Sequence, residues 1–139
     1  MSFLPEEDQE FLCENGIKYQ ELIENMPDGK ERRGLRFPAF SFSGDLRTIN
    51  DGSLVKVNAC DLLVIIPDSY ATTKLDSFYT IPVLKRADGR DPQNSAIDSE
   101  LFGEKWQFWS RHLDDKDWRV GVDNLRTFIS YIRGELRIA

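Results

Sequence analysis

Histidine and cysteine are scarce in this chain: His112 stands alone, and Cys13 and Cys60 are the only thiols. The cysteines form no CxxC pair, so a standard structural zinc site is excluded. Without a disulfide framework, the simplest setting is a reducing, cytoplasmic one. Long apolar runs are also lacking. The longest candidate, Leu62–Ile66, is a buried strand at most, far from the roughly 18 residues of a membrane span, so no membrane partner is expected. The start, Met1–Asp8, shows no basic stretch followed by an apolar one, the order of a secretory signal. Positive charge is in deficit, with 24 acidic against 18 basic residues and a net charge of −6. Such a chain repels phosphate backbones, which argues against nucleic acid. Its densest basic cluster, Lys30, Arg32, Arg33 and Arg36, is interrupted by Glu31, lies beside Asp28, and reads as a solvated turn. There is no GxxxxGK[ST], GxGxxG or GxSxG, so neither a nucleotide cradle nor a nucleophile elbow is supported.

What is present suits one domain over residues 1–139, with 40% hydrophobic residues to build a core. Pro5–Asn15 predicts a short helix: Pro5 fits a helix start, Glu6, Glu7 and Asp8 favour the positive end of its dipole, and Asn15-Gly16 stops it. Ile17–Glu24 alternates as a strand, Met26–Gly29 is a turn, and Gly34–Phe42 is a second strand bent at Pro38. Ser43–Gly52 reads as a polar loop with Asn50-Asp51-Gly52 as its clearest turn. Leu54–Ile66 is β-rich, Leu62–Ile66 is the best central strand, and Ser77–Ile81 is another. Lys85–Glu104 reads as one long irregular stretch, of a length that is often functional. From Val122 to Leu136 the period is helical, with Val122, Leu125, Phe128, Ile129, Ile132 and Leu136 on one face and Asp123 at its start. The order predicts an α+β fold with an antiparallel sheet.

Trp106–His112, followed by Trp118, gathers all three tryptophans and the only histidine. In extended backbone Ser110 and His112 share a face. A serine hydroxyl needs such a base to become nucleophilic, although core tryptophans beside a hydrogen-bonded surface histidine explain the same pattern. Asp114 and Asp115 read as a solvated turn rather than an acid–base pair. Ala87-Asp88-Gly89-Arg90 is a turn whose Asp88 and Arg90 either pair or touch a substrate. Cys13 has nothing basic beside it and is a poor nucleophile, while Cys60, at the entrance to an apolar run, reads as core.

Leu62–Tyr70 followed by Phe78-Tyr79-Thr80-Ile81-Pro82, and Trp118 opening the last helix, resemble the core signature of ubiquitin-conjugating enzymes. More closely, the chain resembles the bacterial group called prokaryotic family E of that fold. The residues that carry this are Leu4-Pro5, Asp8, Phe11-Leu12, Ala87–Arg90, Trp106, Trp109–His112, Trp118-Arg119, Gly121–Asp123 and Leu125-Arg126. The resemblance implies a UBC-like layout: an N-terminal helix, an antiparallel four-stranded meander, a long active-site loop and a C-terminal helix. The partners it implies are a ubiquitin-like protein, an adenylating activating enzyme and a deconjugating metalloprotease encoded nearby. No cofactor is implied for this chain, since ATP is used by the activating partner.

The departures bear on chemistry. In the conjugating enzymes the catalytic cysteine precedes the conserved tryptophan by eight residues; counting back from Trp118 reaches Ser110. The His-Pro-Asn motif of the active-site loop is missing, and Arg86–Arg90 stands in its region. The resemblance therefore implies Ser110 as acyl acceptor through an oxyester, His112 as general base, and Asp88 or Arg90 orienting the substrate or stabilising the oxyanion. The competing expectation is a non-catalytic UBC-like module that binds the modifier or its activating enzyme. A third, a mechanism through Cys60, requires that thiol to be exposed.

Overall fold

The computed structural model describes residues 2–68, 70, 74–111, 118, 119 and 122–139. Helix α1 (Glu6–Glu14) follows Pro5, carries three acids in its first turn and buries Asp8, Phe11 and Leu12. It stops as expected: Asn15 N–H donates to Phe11 O at 3.1 Å, and Gly16 turns the chain with φ +63°, a conformation that glycine adopts without strain.

Strand β1 (Gln20–Asn25) pairs antiparallel with β2 (Glu31–Ser41) across the Met26–Lys30 turn. β2 bends where Pro38 sits, at a register shift between Phe37 and Phe40, because proline cannot contribute a ladder N–H. The segment expected as a polar loop instead contains β3 (Arg47–Asn50), which forms a two-stranded sheet with β4 (Ser53–Lys56). Asp51 and Gly52, with φ +51° and +79°, close that hairpin, as Asp-Gly pairs do. β5 (Ala59–Ile66) and β6 (Phe78–Ile81) extend the main sheet.

The irregular stretch expected over 85–104 is a loop only as far as Asn94. From there β7 (Ser95–Leu101) and β8 (Glu104–Trp109) form a hairpin, and β8 pairs with β6. The main sheet is thus six strands wide, not four, in the order β1-β2-β5-β6-β8-β7. The α+β class and the antiparallel pairing agree with the sequence reading.

Helix α2 (Leu125–Ile138) buries Leu125, Phe128, Ile129, Ile132 and Leu136. Each such side chain contributes about 2 kcal/mol when removed from water. Two details of its start differ from expectation. Its N-cap is Asn124, whose Oδ1 accepts the Arg126 N–H at 3.0 Å; Asp123 instead accepts the Arg119 N–H at 2.5 Å and the Thr127 hydroxyl at 3.2 Å. Val122 lies outside the apolar face and is 59% exposed. Among the described residues no helix is long and apolar enough to cross a membrane.

Alternation along the strands separates two packed faces. Leu35, Phe37, Leu62, Val64, Ile66, Phe78 and Trp109 share the core with α1 and α2. On the opposite face Leu63 and Trp106 are fully buried as well. Phe102, at the β7–β8 turn, covers Gly34 there. Arg36 lies over the Trp106 ring at 5.1 Å and pairs with Asp61 and Glu104.

Candidate active site

β8 delivers Ser110 to the end of the sheet. Trp109, immediately before it, stacks on Phe78 at 5.4 Å and donates its indole N–H to Thr80 Oγ1 at 3.0 Å. Ser110 is half-buried, and its N–H donates to Asn94 O at 2.8 Å. Beyond it, Arg111 prolongs the β6–β8 ladder: Ser77 N–H donates to Arg111 O at 2.9 Å, and the Arg111 N–H reaches Ser77 Oγ at 3.4 Å.

A cleft of about 420 Å³ opens beside this strand end. Its described lining includes Arg86 from the loop, Gln93 and Asn94 ahead of β7, Arg111, and Glu135 from α2. Arg111 Nε lies 3.4 Å from Glu135 Oε1, which also accepts the Tyr131 hydroxyl at 3.0 Å. Burial and this carboxylate push Tyr131 up to about 12, so its phenol stays protonated and acts as a donor.

The loop bearing the other expected site residues is tied down at both ends. Lys85 and Arg47 exchange backbone hydrogen bonds of 2.8 and 2.7 Å, and Lys85 Nζ meets Asp91 Oδ1 at 2.5 Å. Between them Arg86 N–H donates to Arg90 O at 2.8 Å around Gly89, which has φ +86°. Asp88 and Arg90 face each other at the tip: Asp88 Oδ1 accepts the Arg90 N–H at 2.9 Å, and the side chains approach to 3.7 Å. The Arg90 side chain is 80% exposed. Arg86, rather than Asp88 or Arg90, belongs to the described lining of the cleft. His112, Asp114 and Asp115 lie outside the described residues. Trp118, the origin of the count to Ser110, is buried in the core at 6% exposure.

The thiols take no part in this constellation. Cys60 is 4% exposed within β5, and burial together with Asp61 pushes its thiol up to about 12. A thiol so held is neither accessible nor ionised at neutral pH, which removes the mechanism through Cys60. Cys13 is exposed on α1.

Three residues that shape the site had no assigned role in the sequence reading: Gln107, Arg111 and Glu135. Gln107 is a polar residue inside an aromatic run, on the same face of β8 as the core residue Trp109, and its place in that run is its only signal. Glu135 sits four residues after Tyr131 on α2, within reach across one helical turn. Its other partner, Arg111, and the Leu84 backbone that Gln107 binds lie far away in sequence.

Ser110 thus stands at a strand end beside the cleft, with Trp118 buried in the core. No curated protein and no solved structure matches the chain. The family profile described as prokaryotic E2 family E matches residues 4–139, and the chain belongs to that family.

Proposed function

We propose that this chain, as one ubiquitin-conjugating-enzyme-like domain over residues 1–139, accepts a ubiquitin-like modifier from an adenylating activating enzyme and passes it to a target in the bacterial cytoplasm. The acceptor is Ser110. Its Oγ attacks the activated C-terminal carbonyl carbon of the modifier while His112 takes the hydroxyl proton. The bond to the activating enzyme breaks, that leaving group takes up a proton, and an oxyester on Ser110 remains. A nucleophile of the target then attacks the ester, and Ser110 regains its proton. The loop between β6 and β7 is the active-site loop, where Asp88 and Arg90 orient the acyl group or stabilise the developing oxyanion. A deconjugating metalloprotease encoded nearby completes the system.

The observation that supports this reading is Ser110 itself: half-buried, at a strand end, eight residues before a buried Trp118 and bonded to Asn94 of the adjoining cleft. The pairing of Asp88 with Arg90 at an exposed loop tip favours a second reading, a non-catalytic module that holds the modifier or its activating enzyme. Reconstitution with the activating enzyme, modifier and ATP separates them. Wild type forms an adduct that survives thiol reductant and is cleaved by hydroxide, Ser110→Ala forms none, and Ser110→Cys forms one that thiol reductant releases. Undiminished conjugation by Ser110→Ala removes the nucleophile and leaves the binding module.

A further inference from the structure

Arg111 touches four parts of the chain at once. Its Nη1 donates to Gln93 O at 2.8 Å and to Ser110 O at 3.0 Å. Its Nε faces Glu135 Oε1 at 3.4 Å. Its guanidinium lies over the Trp109 ring at 5.2 Å. Only 14% of the side chain is exposed, so the group is held rather than presented to a ligand. The consequence falls on Ser110. That residue's N–H is taken by Asn94 O and its C=O by Arg111, so both of its backbone polar groups are anchored to neighbours. Asn94 and Gln93 are adjacent, so one short segment ahead of β7 holds the serine from the amide side and the arginine from the carbonyl side. Trp109 before Ser110 and Arg111 after it are each tied to a further residue of the β6 segment, Thr80 and Ser77.

We infer that Arg111 is a positioning residue that fixes the backbone of Ser110, with Glu135 of α2 as the counter-anchor that aims its guanidinium. This rests on the proposed role of Ser110 and adds to it the device that holds the nucleophile. The planar fork is essential because one group must serve two carbonyls and a carboxylate together; an ammonium on a flexible stem keeps the charge but loses that geometry. Displacing a reacting atom by about 1 Å costs up to roughly 100-fold in rate.

The test is single-turnover transfer of modifier from the loaded activating enzyme to Arg111→Lys, with concentration dependence and thermal midpoint measured alongside. The expected result is a rate constant about 10- to 100-fold lower, with half-saturation and midpoint close to wild type. Glu135→Gln, which keeps the shape and weakens the anchor, lowers the same rate constant by a smaller factor, again without moving half-saturation. If Arg111→Lys does not fold, Glu135→Gln carries the test alone. A rate constant within twofold of wild type in the folded variants overturns the inference. So does a loss confined to half-saturation, which makes Arg111 a binding group. Ser110→Ala distinguishes the two levels: if it accepts modifier at the wild-type rate, the nucleophile reading falls, whereas inert Ser110→Ala with fully active Arg111→Lys sinks the positioning role alone.

Discussion

Gln107 meets the backbone of Leu84 with both ends of its amide: Oε1 accepts the Leu84 N–H at 2.7 Å and Nε2 donates to Leu84 O at 3.0 Å. The same Oε1 accepts the Thr80 hydroxyl at 3.0 Å, and Gln107 is 1% exposed. A side chain thus performs the pairing of an absent strand. It fastens the root of the loop that carries Arg86 to the strand that carries Ser110.

Gln107→Leu is expected to destabilise the fold by about 3 kcal/mol, because it leaves the N–H and C=O of Leu84 without partners and the Thr80 hydroxyl proton without its acceptor in a dry interior. Denaturant unfolding gives the loss. Hydrogen exchange at the Leu84 amide is expected to accelerate beyond what the global change explains, and protection equal to wild type would contradict the pairing.

Gly34 is the place where the β7–β8 turn lies on the sheet. A Cβ there would stand 2.8 and 2.9 Å from the Phe102 ring and 3.1 Å from Leu63 Cδ1. Gly34→Ala is therefore expected to cost about 1–3 kcal/mol as an overpacked contact. In a Phe102→Asn background the penalty is expected to drop by about 1 kcal/mol or more, the coupling of a touching pair. Asn suits that turn because Phe102 has φ +51°. Additive penalties in the double-mutant cycle would mean that the ring does not cover Gly34.

Asp8 sets a pH dependence. It is fully buried on α1, and among the described residues neither of its oxygens nor the Tyr70 hydroxyl has a hydrogen-bond partner. Burial raises its carboxyl above 3.8, opposed by the nearby Tyr70 hydroxyl and Leu125 N–H, with Glu7 adding to the rise. The folded state therefore holds this proton more tightly than the unfolded chain. The resulting stability is complete below the unfolded value and is lost as pH climbs through the folded one. Asp8→Asn removes that loss, so the variant is expected to gain on wild type as pH rises through the window. Denaturation curves at a series of pH values check this, and a difference that is constant with pH would refute it.

Native thiol labelling is expected to modify Cys13 alone, with Cys60 reacting only after unfolding, as their exposed and buried positions require. Two equivalents taken up rapidly by the native protein would show that β5 is not packed as described.

The features readable in the sequence were those written as local periodicity or local turn chemistry. The Asn15-Gly16 stop, the central strand at Leu62–Ile66 and the face of α2 from Leu125 to Leu136 follow from spacing, because one buried face imposes its own period. Position Ser110 followed from counting along a family pattern. β3 and β7 did not show. Ile49 and Leu54 of the β3–β4 hairpin and Ile97 of β7 are exposed, and β7 is an edge strand with a register shift between Ala96 and Ser99. A strand without a buried face leaves no alternation to detect. The start of α2 was also undecidable locally, since Asp123 and Asn124 are both able caps and the Arg119 N–H draws Asp123 away. By itself the sequence determined which segments must hide an apolar face. Only tertiary structure decided that Gln107 pairs with Leu84 and that Arg111 meets Gln93 and Glu135, because these contacts join groups 18 to 24 residues apart, and no local pattern encodes which distant backbone a polar side chain will meet.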